Sequence, residues 1–131
     1  MSERSTLITS IRPEINSIPS DDIESEIHFQ NKILRPVLKF QNDLLIQVLK
    51  YYFFKHKNTF YTFSLEKRLS YIENAVQKDV KFRNALKGMI IGQFSVEEYA
   101  LYRKKASKLN KRMMQMLIQR YHSQIQLFEN P

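Results

Sequence analysis

Apolar residues recur at three-, four- and seven-residue separations along most of the chain, which is the spacing of one face of an α-helix. The first such segment covers residues 27–55, and the second begins after Ser64, a residue suited to cap a helix N-terminus. A third covers residues 79–93, and the pattern leaves open whether it continues the second. The last covers residues 96–127, where Ser95 opens an S-x-x-E capping box and neither Gly nor Pro occurs. We therefore expect an all-α fold, an irregular bundle of four or five helices with a long C-terminal helix.

Pro36 interrupts the first periodic segment. Proline has no amide donor, and it disfavours helical geometry at the residue before it. Either a short helix ends near Leu34 and a new one starts at Pro36, or a single helix kinks there. Of the two, we expect the break.

Composition agrees with one helical domain. The chain has 131 residues, of which 43% are hydrophobic, and this suits a single core. Two Gly and four Pro are too few for a loop-rich β-sandwich or barrel. The absence of Cys excludes disulfides, thiolate metal ligands and thiol nucleophiles. The N-terminus is polar and no apolar run is long enough to cross a membrane, so we expect a cytoplasmic protein without a signal peptide.

Charge is distributed unevenly along the chain, whose formal net charge is +8. Residues 1–30 hold two basic and six acidic residues, so residues 31–131 hold 19 Lys and Arg against seven acidic residues. We predict an acidic, flexible leader over residues 1–26 and a basic helical domain over residues 27–131. A domain this basic attracts polyanions, such as a nucleic acid or an acidic protein.

The acidic leader has two interpretations. It either lies over the basic surface and competes with external anions, or it is a solvated linker whose charge has no specific partner. Salt-dependent polyanion binding by a chain that lacks residues 1–28 distinguishes the two.

The last helix separates charged from apolar residues. At about 100° per residue, its apolar and aromatic residues fall within one arc, which we expect to face the core. Its opposite side carries five cationic residues, which either keep the domain soluble or contact phosphate groups. The candidate anion-binding residues are Lys104, Lys105, Lys108, Lys111 and Arg112.

Two more specific nucleic-acid interpretations each meet an objection. Residues 80–108 permit a helix-turn-helix, but its recognition helix would open with Glu97 and Glu98 against phosphate. Aromatic residues between positions 51 and 63 alternate with basic ones, as in a base-stacking surface, but core packing explains most of them more simply.

The sequence lacks the standard catalytic and metal-binding motifs. His28, His56 and His122 lie in three separate segments. No H-E-x-x-H, E-x-x-H, G-x-S-x-G or Walker A pattern occurs. We therefore predict no catalytic residue, no metal site and no cofactor.

Four stretches carry a family resemblance: FQNKILRPVLKFQNDLL, HKNTFY, EKRLSYIENAVQKDVKFRNALKGMIIGQF and LNKRMM. They resemble a short, all-helical bacterial family whose members often bear the name glyoxalase, and the resemblance covers residues 29–126. The name implies, as an alternative function, an enzyme acting on a small carbonyl substrate. The histidine-rich metal motifs of glyoxalases do not occur in this sequence, so the resemblance transfers no catalytic residue.

The resemblance also draws attention to polar residues inside helical segments. We predict that Asn42 and Asp43 of the first long helix meet Arg83 and Asn84 of the third across the bundle. Such a network either specifies the packing of the core or lines a ligand pocket.

These observations favour a non-catalytic binding or regulatory module that uses its basic helical face. The glyoxalase-type enzyme stays open, and bound divalent metal with turnover of a methylglyoxal–thiol adduct is its test. A helical homo-oligomer with an assembly role also stays open, because the last helix is long enough to pair with a second copy in a homodimer.

Overall fold

Helices make up all the regular secondary structure that the structure describes. The computed structural model describes residues 2–13 and 25–131. Within these ranges no β-strand occurs, and the predicted all-α fold with a long C-terminal helix is confirmed. The α-helices are α1 (Glu3–Ser10), α2 (Glu26–Phe29), α3 (Arg35–Lys55), α4 (Leu65–Lys78), α5 (Val80–Ile91), α6 (Val96–Tyr102) and α7 (Ala106–Ser123), with a π-helical turn at Gln30–Leu34 and 3₁₀ turns at Thr59–Thr62, Arg103–Lys105 and Ile125–Phe128.

The core lies between α3, α4, α5 and α7. Each of these helices buries one apolar face, and Leu45 and Leu49 of α3 and Met113 and Leu117 of α7 are almost completely inaccessible to solvent. Burial of such faces is the main free energy that stabilises a bundle. Among the described helices, none has both the length and the apolar character that crossing a membrane requires.

Aromatic residues close one end of the core. The rings of Phe53 and Phe60 stack with centroids 3.8 Å apart, and Phe128 contacts Phe53 edge-on at 5.7 Å. All three side chains are fully buried. Core packing is therefore confirmed for Phe53 and Phe60, whereas Tyr51 is exposed on the surface of α3.

Pro36 does not break the first long helix. Leu34 and Arg35 keep helical dihedral angles, and the Arg35 N–H donates to the carbonyl oxygen of Gln30, five residues earlier. This π-helical spacing widens the turn at the position where Pro36 supplies no amide donor and where its ring would crowd the preceding turn. The expected break is wrong, because α2, the π-helical turn and α3 form one continuous unit.

Asp79 separates α4 from α5, the point that the sequence pattern left open. Its backbone is extended, with φ −81° and ψ 96°. One carboxylate oxygen accepts the Phe82 N–H at 3.2 Å, and the other accepts the Tyr52 hydroxyl at 2.9 Å. Asp79 therefore caps α5 and ties this junction to α3. The hydrogen bonds, first from Phe82 and then from Tyr52, lower the pKa of the Asp79 carboxyl.

We expect Asp79→Ala to lower the free energy of unfolding by about 1–2 kcal/mol, since it removes a helix cap and the acceptor of the Tyr52 hydroxyl. Because the pKa of Asp79 is lowered in the folded chain, the stabilisation is present above the usual carboxyl pKa and is lost as pH falls through the lowered value. Urea unfolding of both chains at neutral and acidic pH measures this. A difference between the chains that does not shrink at acidic pH would contradict it, and Asp79→Asn, which keeps an acceptor, is the control.

The C-terminal helix begins with the predicted capping box. The Ser95 hydroxyl accepts the Glu98 N–H, and the Glu98 carboxylate accepts the Ser95 N–H. The 3₁₀ turn then separates α6 from α7, and Lys105 leaves the helical region with φ −136° and ψ 38°. The predicted long C-terminal helix is therefore present, but a 3₁₀ turn divides it into α6 and α7, and α7 ends at Ser123.

Helix α1 packs on the turn between α5 and α6. The Arg4 guanidinium donates to the carbonyl oxygens of Gly92 and Phe94, each at 2.7 Å. The buried Ser5 hydroxyl accepts the Val96 N–H at 3.0 Å, so α1 satisfies an amide that α6 itself leaves unbonded.

Arg12 completes the contact of the N-terminal residues with this turn. Its guanidinium pairs with both carboxylate oxygens of Glu98 and also donates to the carbonyl oxygen of Gln93. The side chains of Arg12 and Glu98 are only 9% and 14% exposed. The first part of the predicted leader thus contacts the helical domain. Residues 14–24 lie outside the described residues, and the flexibility of the leader stays a prediction.

Candidate functional site

The five cations predicted to bind anions lie around the first half of α7. Lys104 and Lys105 are exposed on the 3₁₀ turn before α7, Lys108 and Lys111 are exposed on α7 itself, and Arg112 is half-buried. Lys108, Lys111 and Arg112 line a shared depression of about 240 Å³. The structure therefore brings these three residues together.

An acidic residue borders this depression. The Glu26 carboxylate, at the start of α2, lies 3.7 Å from the Lys108 ammonium. The Lys108 side chain is 76% exposed, and ion pairs this solvated contribute at most about 1 kcal/mol. Glu26 is also the last residue of the predicted leader, so this pair is a weak internal competitor for an external anion.

A larger cleft shares Lys111 with the depression and lies between α7 and the junction of α4 with α5. Its volume is about 460 Å³. Lys78 at the end of α4, Arg83 on α5 and Lys111 supply three positive charges, and none of its described lining residues is acidic. The remaining lining residues are Gln77, Ser107, Asn110, Met114 and Gln115.

The guanidinium of Arg83, which lines this cleft, has few hydrogen-bond partners within the described residues. Its Nη1 donates to the carbonyl oxygen of Gln77 over a long 3.4 Å. Its Nε is buried and donates to no acceptor in the described part of the chain. A buried charged donor without a partner is costly, so the Arg83 guanidinium favours an anion nearby.

Asn110 presents a neutral donor to the same cleft. The Tyr102 hydroxyl donates to Asn110 Oδ1 at 2.5 Å, so the amide nitrogen of Asn110, a lining residue, is the donor of this side chain. Burial raises the pKa of Tyr102, so its hydroxyl keeps the donated proton at neutral pH. Cations combined with neutral N–H and O–H donors are the groups that bind phosphate and carboxylate oxygens.

Two arginines line another cavity, between α3 and α7, of about 420 Å³. The Arg35 Nε donates to Asn31 Oδ1 at 2.9 Å, and the Arg120 Nη1 donates to Asn42 Oδ1 at 3.3 Å. Burial, and then the charge of Arg35, lowers the pKa of Arg120. The partners of both arginines are neutral amides, so positive charge also accumulates on this side of α7.

The four residues of the predicted polar network, Asn42, Asp43, Arg83 and Asn84, do not contact one another across the bundle. Asn42 exchanges two hydrogen bonds with Gln124, both at 2.8 Å, and so contacts the end of α7. Arg83 lines the cleft described above, and Asp43 and Asn84 are exposed. The helical faces that carry these residues point toward α7 or solvent, and for this reason they do not meet between α3 and α5.

Two histidines bond separately to backbone carbonyls. The ring nitrogens of His56 and His122 lie 2.8 Å and 2.9 Å from the carbonyl oxygens of Tyr52 and Leu69. Over residues 2–13 and 25–131, no group of three or more His, Asp or Glu side chains is placed to hold a metal ion.

The fold and these cavities define a small helical-bundle protein with a basic surface around α7. Comparison of the chain with protein-family models, with curated proteins and with solved structures gave no match. The resemblance to the glyoxalase-named family therefore stays a prediction.

Proposed function

We propose that the protein is a non-catalytic binding module for a polyanionic partner, either a nucleic acid or an acidic protein segment. The observation that carries this proposal is the cleft beside α7, where Lys78, Arg83 and Lys111 converge and no described lining residue is acidic. We call this cleft, together with the cations of residues 104–112, the basic surface.

Charge acts at two distances in this proposal. Over residues 31–131 there are 19 Lys and Arg against seven acidic residues, and an excess of this size attracts polyanions from beyond contact distance. The cleft then acts at contact distance. The Arg83 guanidinium supplies directed hydrogen bonds, while Lys78 and Lys111 act as mobile point charges.

The basic surface suits an extended anion better than a small enclosed one. Lys111 lines both the cleft of about 460 Å³ and the depression of about 240 Å³, so a bound chain can place successive charges in both. Affinity then comes from several charge contacts, each of which displaces counterions from the partner.

The test is the salt dependence of binding to a single-stranded oligonucleotide and to a poly-glutamate peptide. If about five phosphate contacts form, affinity for the oligonucleotide falls about 100-fold between about 50 mM and about 200 mM salt. Fluorescence anisotropy with labelled probes measures it. Preference for one probe identifies the class of partner.

Two results would overturn the proposal. One is that neither probe binds at low salt. The other is binding whose affinity does not change with salt, because that would mean that contacts other than charge hold the partner.

A further inference from the structure

Helix α3 carries a stripe of exposed apolar side chains. Phe40 and Leu44 are 43% and 50% exposed, and Tyr51 and Phe54 are 61% and 65% exposed. At about 100° per residue, these four positions fall within an arc of about 80°. Exposed apolar side chains grouped on one face of a folded protein mark an interaction surface.

The stripe lies opposite the face by which α3 joins the core. Leu38, Leu45 and Leu49 are buried in the core, on the other side of the helix. A helix that is apolar on both sides is normally covered on both. In the described part of the chain, only one of the two sides of α3 is covered.

The stripe is nearly symmetric about Gln47, which is itself exposed. Phe40 precedes Gln47 by seven residues and Phe54 follows it by seven, while Leu44 and Tyr51 lie three before and four after. An antiparallel pair of α3 helices with its two-fold axis at Gln47 therefore sets Phe40 against Phe54 of the second copy. Such self-complementarity is what a two-fold interface requires.

Charge beside the stripe fits the same arrangement. Asp43 and Lys50 flank one edge of the stripe, four residues before and three residues after Gln47. In an antiparallel pair, residues on the same flank of the two helices meet. Asp43 of each copy therefore faces Lys50 of the other, and the dimer contains two such ion pairs.

We propose that a second copy of this chain docks on this stripe and forms an antiparallel, two-fold symmetric dimer through α3. The long C-terminal helix, by contrast, uses its apolar face in the core of its own chain. One helix of 21 residues is about 32 Å long, and a single helix face buries less area than a standard protein interface. The dimer is therefore weak and depends on concentration.

Sedimentation equilibrium of the full chain tests the dimer. Between about 5 and about 500 μM, we expect the mass to rise from 15.7 kDa toward twice that value. Asp43→Lys sets two lysines against each other, and Lys50→Asp sets two aspartates against each other. The two-fold axis repeats each repulsive contact, so we expect either variant to weaken the dimer about tenfold. The double variant restores the pairs in reverse and returns the affinity to that of the unmodified chain.

Two leucines of similar exposure provide a matched control. Leu44→Lys removes the dimer, whereas Leu7→Lys, at a position on α1 that is 59% exposed, leaves it unchanged. A chain that stays monomeric at the highest concentration would overturn the proposal. So would a dimer that the charge exchange does not restore, or association with anionic lipid vesicles in place of dimerisation. The outcome is independent of the proposed polyanion site, because the charge exchange keeps the net charge and both residues lie outside the cavities around α7.

Discussion

The double variant Arg83→Glu, Lys111→Glu is expected to bind a single-stranded oligonucleotide about 100-fold more weakly than the unmodified chain at low salt. Two of the three cations of the cleft become anions, so attraction is replaced by repulsion at the place where the partner makes contact. The buried Arg83 Nε, which donates to no described acceptor, is also removed as a donor. Fluorescence anisotropy measures the two affinities, and circular dichroism establishes that the variant keeps its helices.

The matched control reverses the same number of charges elsewhere. Lys39 of α3 and Lys67 of α4 are exposed and do not line the cavities around α7. Lys39→Glu with Lys67→Glu changes the net charge equally, and it should lower affinity only severalfold through the long-range field. Equal losses in the two double variants would show that net charge alone holds the partner, and the cleft would then have no special role.

Replacing Arg12 with Ala is expected to lower the free energy of unfolding by about 3 kcal/mol. The Arg12 guanidinium meets both carboxylate oxygens of Glu98, and both side chains are nearly buried. Its removal leaves the Glu98 carboxylate without its cation and the Gln93 carbonyl without a donor. Glu98 also belongs to the capping box of α6, so the change weakens the start of the C-terminal helix. Urea unfolding measures the effect.

A double-mutant cycle separates the ion pair from the rest of the contact. Glu98→Gln in the Arg12→Ala background should cost much less than Glu98→Gln alone, because the buried charge has already lost its partner. Arg4→Ala is the control, since Arg4 is exposed and its loss removes only two hydrogen bonds to carbonyl oxygens. If Arg12→Ala changed stability by less than Arg4→Ala does, the packing of the N-terminal residues described above would be contradicted.

Local signals in the sequence account for much of the fold. The Ser64 cap and the Ser95 capping box lie where the pattern predicted them, because both depend on residues within one helical turn. The break at Pro36 was predicted incorrectly, and the 3₁₀ turn at Arg103–Lys105 was not predicted. A π-helical turn and a 3₁₀ turn are adjustments of backbone geometry that hydrophobic periodicity does not record.

The hydrophobic pattern could not predict that α1 packs on the turn between α5 and α6. The segment over residues 3–10 lacks an apolar face, and its contacts run from Arg4 and Ser5 to the turn near Val96. Residues about 90 positions apart in sequence meet there, and only the folded chain shows that they are neighbours.

The candidate site was predictable in part. The cations of α7 follow from helical spacing alone, but the cleft needs Lys78 and Arg83, which belong to other helices. Helical spacing predicts the face of its own helix on which a residue lies. It does not predict which other helix packs against that face. The same limit explains why Asn42 contacts Gln124 when Arg83 was the predicted partner.

The measurement that tests the central claim most directly is a titration of the ¹⁵N-labelled chain with a single-stranded oligonucleotide, followed by nuclear magnetic resonance. We expect the Arg83 Nε–Hε signal and the amides of residues 104–112 to shift, because the negative charge of the partner comes to lie beside the Arg83 guanidinium and the basic surface. Amides of the exposed stripe on α3 should stay in place. Shifts confined to α3 or spread evenly over the surface, with the Arg83 signal unchanged, would contradict the assignment of the basic surface as the binding site.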